Sequence, residues 1–190
     1  MIETRIASAL ALVRVLAGAE PIARQHAALT NALDRLRMAR NPGEIERLDR
    51  LIWRLWNSAG TPDAVAALER ALKALSAGRF DAALKALDQA VAVDFAFAEA
   101  WNRRATVYFL LGEHPSAVAD IEKVLVLEPR HYGALSGLGQ LLAKEDHPGG
   151  ALAAFEAALR INPHLISVRQ AADRLRQTLP TGGPRRAALP

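Results

Sequence analysis

Apolar residues recur every three or four positions along most of this chain, which is the spacing of one face of an α-helix. Two clear stripes run from Ile45 to Trp56 and from Phe80 to Leu87. No stretch of strictly alternating apolar and polar residues, the pattern of a half-buried strand, competes with these stripes. The sequence therefore predicts an all-α fold.

The stripes repeat at a fixed interval of 34 residues, which separates Trp101 from Leu135 and Pro129 from Pro163. A repeat of this length is typical of helical hairpins that bury their apolar faces only by stacking on one another. We predict three such units at about 64–97, 98–131 and 132–165, within a repeat region at 61–163. In the third unit the repeated positions are Leu135, Leu138, Gly139, Leu142, Ala151, Phe155 and Pro163.

This pattern resembles the tetratricopeptide repeat (TPR) over residues 64–163. The stretch from Trp101 to Tyr108 is also similar to that of short bacterial TPR proteins, many of which are exported. The resemblance implies a right-handed α-solenoid of three TPR units plus capping helices. It also implies an assembly or scaffold role, although the fold alone does not specify a function.

Three turn positions and one arginine refine the repeat. Gly78 and Gly112 occupy positions where a helix ends with a left-handed residue, whereas the third unit has Asp146 there. Arg104 stands where the repeat usually has leucine, facing the partner helix near Asp120. A buried guanidinium needs a counter-charge, so we hypothesise an ion pair with Asp120. The alternative is that Arg104 extends into solvent.

The segments outside the repeats are predicted to cap the stack. At 20–60 we expect a degenerate pair of helices, from about 21 to 39 and from Asn41-Pro42 to Gly60, with Asn41 as the N-terminal cap. Residues 164–179 are predicted to form a terminal helix with one apolar face. Residues 180–190 have nothing to bury, so we expect a disordered tail.

The first 19 residues fit two interpretations. The apolar run from Ile6 to Val13, followed by Ala17-Gly18-Ala19, is typical of a signal peptide and favours a periplasmic or exported protein. Arg14 inside the segment favours the alternative, a first helix of a cytoplasmic protein. Either way the run is too short to span a bilayer.

Composition narrows the classes of function. The chain has 190 residues, a net charge of +4 and no cysteine, which excludes disulfides and thiol chemistry. Residues 58–163 carry ten basic and thirteen acidic side chains, and the arginines are dispersed rather than gathered on one face. We therefore do not expect nucleic-acid binding. Four of the five histidines recur at repeat turns without metal-ligand spacing, and no catalytic or nucleotide-binding motif is found, so we expect no enzyme, metal or cofactor.

The resemblance implies a concave groove lined by the first helix of each hairpin. The predicted partner-binding residues are Leu68, Leu72, Leu75, Glu99, Asn102, Thr106, Phe109, Ser136 and Gln140. Some family members clamp the C-terminal carboxylate of a chaperone with Lys, Arg and Asn side chains. The corresponding positions here are Leu68, Leu72, Arg103, Gly133 and Gly137, which argues against that ligand.

We therefore predict a non-enzymatic adaptor or scaffold that holds a peptide or protein segment in this groove. The alternative is a self-associating structural protein whose own N-terminal helices fill the groove and cover Leu68, Leu72 and Leu75. We expect a monomer rather than a homo-oligomer.

Overall fold

The computed structural model describes residues 2–15 and 27–179, and within these ranges it contains α-helices and no strand. The predicted all-α class is confirmed. The predictions for residues 16–26, including the start of the helix expected from 21, and for the tail at 180–190 concern residues outside the described ranges. The helices are α1 (Ile2–Val15), α2 (Ala27–Met38), α3 (Pro42–Asn57), α4 (Pro62–Ser76), α5 (Phe80–Val93), α6 (Ala98–Leu111), α7 (His114–Leu127), α8 (Tyr132–Lys144), α9 (Pro148–Ile161) and α10 (Ile166–Thr178).

Three helical hairpins, α4–α5, α6–α7 and α8–α9, stack in chain order, and α10 packs on α9. Small residues let the paired helices approach closely. At Gly139 in α8, an added Cβ would lie only 2.4 Å from the ring of Phe155 in α9. The close packing of α8 on α9 therefore requires the glycine that the repeat has at this position.

The turns inside the hairpins share one backbone conformation. Gly78 and Gly112 have φ angles of 68° and 79°, in the left-handed region expected for them. Asp146 adopts the same conformation, with φ of 58°, in the third hairpin. Aspartate tolerates this region better than most residues, so the turn survives without glycine.

Helix α3 begins as its sequence predicts. The Asn41 side chain accepts a hydrogen bond of 3.1 Å from the Glu44 backbone N–H, and Pro42 opens α3. Helix α3 ends at Asn57, earlier than the predicted end at Gly60. Gly60 instead lies against the ring of Phe97, where an added Cβ would approach to 2.5 Å.

Helix α1 packs against α7 and α9. Its buried face consists of Ile6, Ala9 and Val13, and Leu10 lies next to Gly150 in α9. Removal of α1 would therefore expose an apolar surface on α7 and α9.

The hypothesised ion pair of Arg104 is confirmed. Its Nε and Nη2 donate hydrogen bonds of 2.7 and 2.9 Å to the two carboxylate oxygens of Asp120, and Nη1 donates one of 2.9 Å to Asp88. The guanidinium also lies 4.6 Å from the centre of the Trp101 ring. The hydrogen bonds with Asp120 raise the pKa of Arg104. Arg104, which stands in place of the usual leucine, thus links α6 to α7 in its own hairpin and to α5 in the preceding hairpin.

Candidate peptide-binding groove

The predicted groove residues all lie on the first helices of the three hairpins, and four of them meet around one cavity between α6 and α8. Asn102, Thr106 and Phe109 come from α6 and Gln140 from α8. The cavity has a volume of about 70 Å³. We call it the α6–α8 cavity; the rest of its wall is formed by Ala105, Ile121, Gly133, Ala134, Gly137 and Leu141.

Gly137 keeps the α6–α8 cavity open. A Cβ added at this position would meet no atom within 4 Å, in contrast to the crowded Gly139 two residues later. A larger residue at 137 would therefore project into the space between the helices without a clash at its Cβ. The wall combines an aromatic ring and aliphatic groups with the side-chain amides of Asn102 and Gln140, a mixture suited to a peptide side chain and its backbone.

The three predicted leucines of α4 are separate from this cavity. Leu68 is only 1% exposed, while Leu72 and Leu75 are half-buried at the edge of the same apolar cluster. That cluster is built from residues between Ala59 and Val107, on α4, α5 and α6 and the loops that precede α4 and α6. Leu68 is therefore covered by its own hairpin and α6, and not by the N-terminal helices as the alternative supposed.

Three further predicted residues do not present free polar groups: Glu99, Ser136 and Thr106, whose hydroxyl donates a hydrogen bond of 3.0 Å to the carbonyl of Asn102 in its own helix. Glu99 is 1% exposed and forms part of an internal hydrogen-bond network. The Ser136 hydroxyl donates a hydrogen bond of 2.7 Å to the carbonyl of Tyr132 in its own helix. In the described conformation, the contact surface offered to a partner thus comes from Leu72, Leu75 and the residues around the cavity.

The network around Glu99 centres on His131, which is completely buried. His131 Nδ1 accepts a hydrogen bond of 3.1 Å from the Ala134 backbone N–H, so its ring proton lies on Nε2. Nε2 then donates to Glu99 across 3.0 Å. Asn102 donates to the same carboxylate oxygen at 2.9 Å, and Arg103 donates to the other. The network joins the start of α8 to the start of α6.

These contacts keep Glu99 ionised. Burial raises the pKa of Glu99, but the hydrogen bond from His131, the positive charge of Arg103 and the hydrogen bond from Asn102 outweigh it. The net result is a pKa below the ordinary value. Because Asn102 also lines the α6–α8 cavity, the Glu99 carboxylate fixes one wall of the candidate site.

The N-terminal hairpin α2–α3 packs onto this network through two tryptophans that sequence reasoning did not assign to the groove. The Trp56 ring stacks on His131 with 4.0 Å between centroids, and Trp53 lies edge-on to both His131 and Tyr132. An added Cβ at Gly133 would lie 2.7 Å from Trp53. Trp53 therefore closes one end of the groove at a position that the family pattern leaves open.

Polar contacts hold the same hairpin in place. The Tyr132 hydroxyl donates a hydrogen bond of 2.6 Å to Asp49 in α3, and His164 bonds to the carbonyl of Leu36 at 2.9 Å. Arg130 donates to the Thr30 hydroxyl at 3.1 Å. These contacts join residues 83 to 128 positions apart, a separation at which the repeat pattern gives no signal.

Within residues 2–15 and 27–179, no three histidine, aspartate or glutamate side chains lie close enough together to hold a metal ion. In the same ranges, every helix is too short or too polar to cross a bilayer.

The comparisons with known proteins agree with the stacked hairpins. A family model for the tetratricopeptide repeat matches residues 68–127 and 111–166. The chain therefore belongs to the tetratricopeptide repeat family. It is 37% identical over 135 residues to a TPR repeat-containing protein of Rhizobium etli, a match that covers 71% of this chain and 66% of that protein. The chain thus spans just under two thirds of this relative.

Among solved structures, the Arabidopsis OM64 TPR domain has a TM-score of 0.59 at 21% identity, covering 61% of this chain and 96% of that one. The first TPR of Spaghetti (RPAP3), bound to the HSP90 peptide SRMEEVD, has a TM-score of 0.60 at 19% identity, covering 62% and 96%. At this identity the likeness establishes a shared fold.

Proposed function

We propose that this protein is a non-enzymatic TPR adaptor that binds a segment of a partner protein at the α6–α8 cavity. The observation that carries the proposal is the convergence of Asn102, Thr106, Phe109 and Gln140, all groove positions of the repeat, on one cavity with a mixed polar and apolar wall. Such a wall suits an extended or helical peptide better than it suits a reacting substrate.

The size of the cavity limits what enters it. At about 70 Å³ it has room for one aliphatic side chain. Phe109, Ile121 and Leu141 would surround that side chain, and its burial would contribute about 1.5–3 kcal/mol. The Gln140 amide, together with Oδ1 of Asn102, whose Nδ2 already donates to Glu99, would bond to the peptide backbone on either side.

The proposed ligand differs from the HSP90 peptide carried by the RPAP3 domain. Two of the positions that would hold basic clamp residues are Gly133 and Gly137 in this chain, and Gly133 is covered by Trp53. The ligand is therefore expected to be selected by an internal aliphatic residue and not by a terminal carboxylate.

The test fills the cavity without unfolding the protein. Gly137→Leu would place a side chain in the cavity, and the loss of a helical glycine favours folding. Gly149→Leu is the matched control, because Gly149 is exposed in α9 and an added Cβ there meets no atom within 4 Å. Partner capture from cells that produce the protein would be compared by quantitative mass spectrometry. We expect Gly137→Leu, but not Gly149→Leu, to lose the captured protein; equal capture by both variants would contradict the proposal.

One observation favours the second candidate, a structural protein that fills its groove with its own N-terminal helices. Trp53 of α3 already lies against Gly133 in the groove. Light scattering over a range of protein concentrations separates the candidates. An adaptor stays monomeric at all concentrations, whereas a self-associating protein gains mass as its concentration rises.

A further inference from the structure

A second surface, on the outward side of α3, has a different chemistry from the α6–α8 cavity. It is an open trough of about 830 Å³. We call it the α3 trough; its lining residues are Arg47, Arg50, Leu51, Trp53, Arg54 and Asn57. Three arginines thus surround an apolar strip, and no acidic residue lines the trough.

The acidic residues of α3 do not neutralise these arginines. Glu44 pairs with Arg35 of α2 at 2.9 Å, and Asp49 accepts the hydrogen bond from the Tyr132 hydroxyl. Only Glu46 contacts a trough arginine, Arg50, at 3.4 Å. Both members of that pair are about two thirds exposed, so the contact contributes little.

The other two arginines are available to a ligand. Across residues 2–15 and 27–179, neither Arg47 nor Arg54 has a carboxylate within 4.0 Å, although other arginines of the chain form such pairs. Both side chains are exposed. Because their positive charges face the same trough, the trough attracts anionic groups.

We propose that the α3 trough binds an acidic peptide segment of a protein partner, with Arg47, Arg50 and Arg54 contacting its carboxylates. Charge complementarity selects the acidic side chains, since arginine forms paired hydrogen bonds with carboxylates. Leu51 and the exposed part of Trp53 provide an apolar strip for an aliphatic side chain of the same segment.

Peptide fits this surface better than nucleic acid. A nucleic-acid surface needs positive charge extended along one face, so that many phosphates are neutralised together. Here the three arginines that line the trough all lie on α3, and the adjoining repeat region, 58–163, has more acidic than basic side chains. A long polyanion that crossed the trough would therefore be repelled by the acidic side chains of this region.

The proposal is independent of the α6–α8 cavity. Trp53 separates the two surfaces: it lines the trough and lies against Gly133, which lines the cavity. The arginines lie on the trough side only. Variants of Arg47 and Arg54 therefore test the trough, whereas Gly137→Leu tests the cavity.

The experiment measures fluorescence anisotropy of a labelled peptide made of glutamates with a leucine at every third position. The double variant Arg47→Glu/Arg54→Glu is compared with Arg37→Glu/Arg174→Glu, which changes the net charge equally at exposed sites outside the trough. We expect the trough variant to weaken binding about tenfold or more, because each reversal replaces an attraction with a repulsion. The control variant and Gly137→Leu should bind within about twofold of the wild type. Unchanged thermal unfolding would show that all variants are folded.

Three results would overturn the proposal. Equal weakening by both charge-reversal pairs would show that binding follows overall charge. If the acidic peptide did not bind to the wild type at low salt, the trough would not be a binding site for acidic segments. Tighter binding of a polyuridylate RNA, lost in the trough variant, would make the surface a nucleic-acid site instead.

Discussion

Two glycines in α8 should respond in opposite directions to the same substitution. Gly137 and Gly139 are both helical, so alanine at either position gains about 1 kcal/mol from helix propensity. At Gly137 the new methyl group would meet nothing within 4 Å, so the gain remains. Gly137→Ala should therefore raise the Tm by about 2–4 °C.

At Gly139 the new methyl group would lie 2.4 Å from Cδ1 and Cε1 of Phe155. Carbon atoms normally pack at about 3.5–4.0 Å, so the ring would have to move by about 1 Å. Phe155 is only 3% exposed, so it has little space to move into. Overpacking of this kind costs about 1–3 kcal/mol, which exceeds the gain in propensity. Gly139→Ala should therefore lower the free energy of unfolding by up to about 2 kcal/mol.

Urea and thermal unfolding followed by circular dichroism would measure both variants. The double variant Gly139→Ala/Phe155→Leu supplies the control, because a smaller side chain at 155 makes room for the methyl group. Its destabilisation should be less than the sum of the two single changes. If Gly139→Ala proved as stable as Gly137→Ala, the close packing of α8 on α9 inferred from the ring contact would be refuted.

Two other predictions concern single residues. Glu99→Gln should cost about 2 kcal/mol at neutral pH, because it removes a buried charged acceptor. The pKa of Glu99 is lower in the folded state than its ordinary value of 4.5. The difference in free energy of unfolding between the wild type and Glu99→Gln should therefore shrink as the pH falls below that value. A difference that stays constant in urea titrations down to acid pH would contradict this expectation. Asp146→Gly should raise the free energy of unfolding by up to about 1 kcal/mol, because glycine adopts the left-handed φ of 58° without strain. A lower Tm of this variant would show that the aspartate side chain stabilises the turn.

The repeat period could be read from the sequence because each hairpin must present small and large residues at fixed positions. Gly78, Gly112 and Gly139 have the roles that the pattern assigns them. The pairing of Arg104 with Asp120 was also predictable, because a charge at a helix-facing position demands a nearby partner. These are local consequences of the repeat.

The N-terminal hairpin could not be placed in the same way. Trp53 and Trp56 pack on His131 and Tyr132, more than 70 residues away in the sequence, and no periodic signal connects them. As a result, the repeat pattern places Glu99 in an open groove, although this residue is buried beneath these contacts. The repeat pattern predicted which helices carry the predicted groove residues, but not the side chains that cover some of them.

The central claim, that a partner enters between α6 and α8, is tested most directly by site-specific photocrosslinking. A photoreactive amino acid would replace Gln140, an exposed residue at the cavity, and in a separate protein Lys85, an exposed residue of α5. We predict a crosslinked partner from Gln140, none from Lys85, and loss of the Gln140 product when Gly137→Leu is added. Crosslinking from Lys85 alone, or a Gln140 product that persists with the cavity filled, would contradict the account.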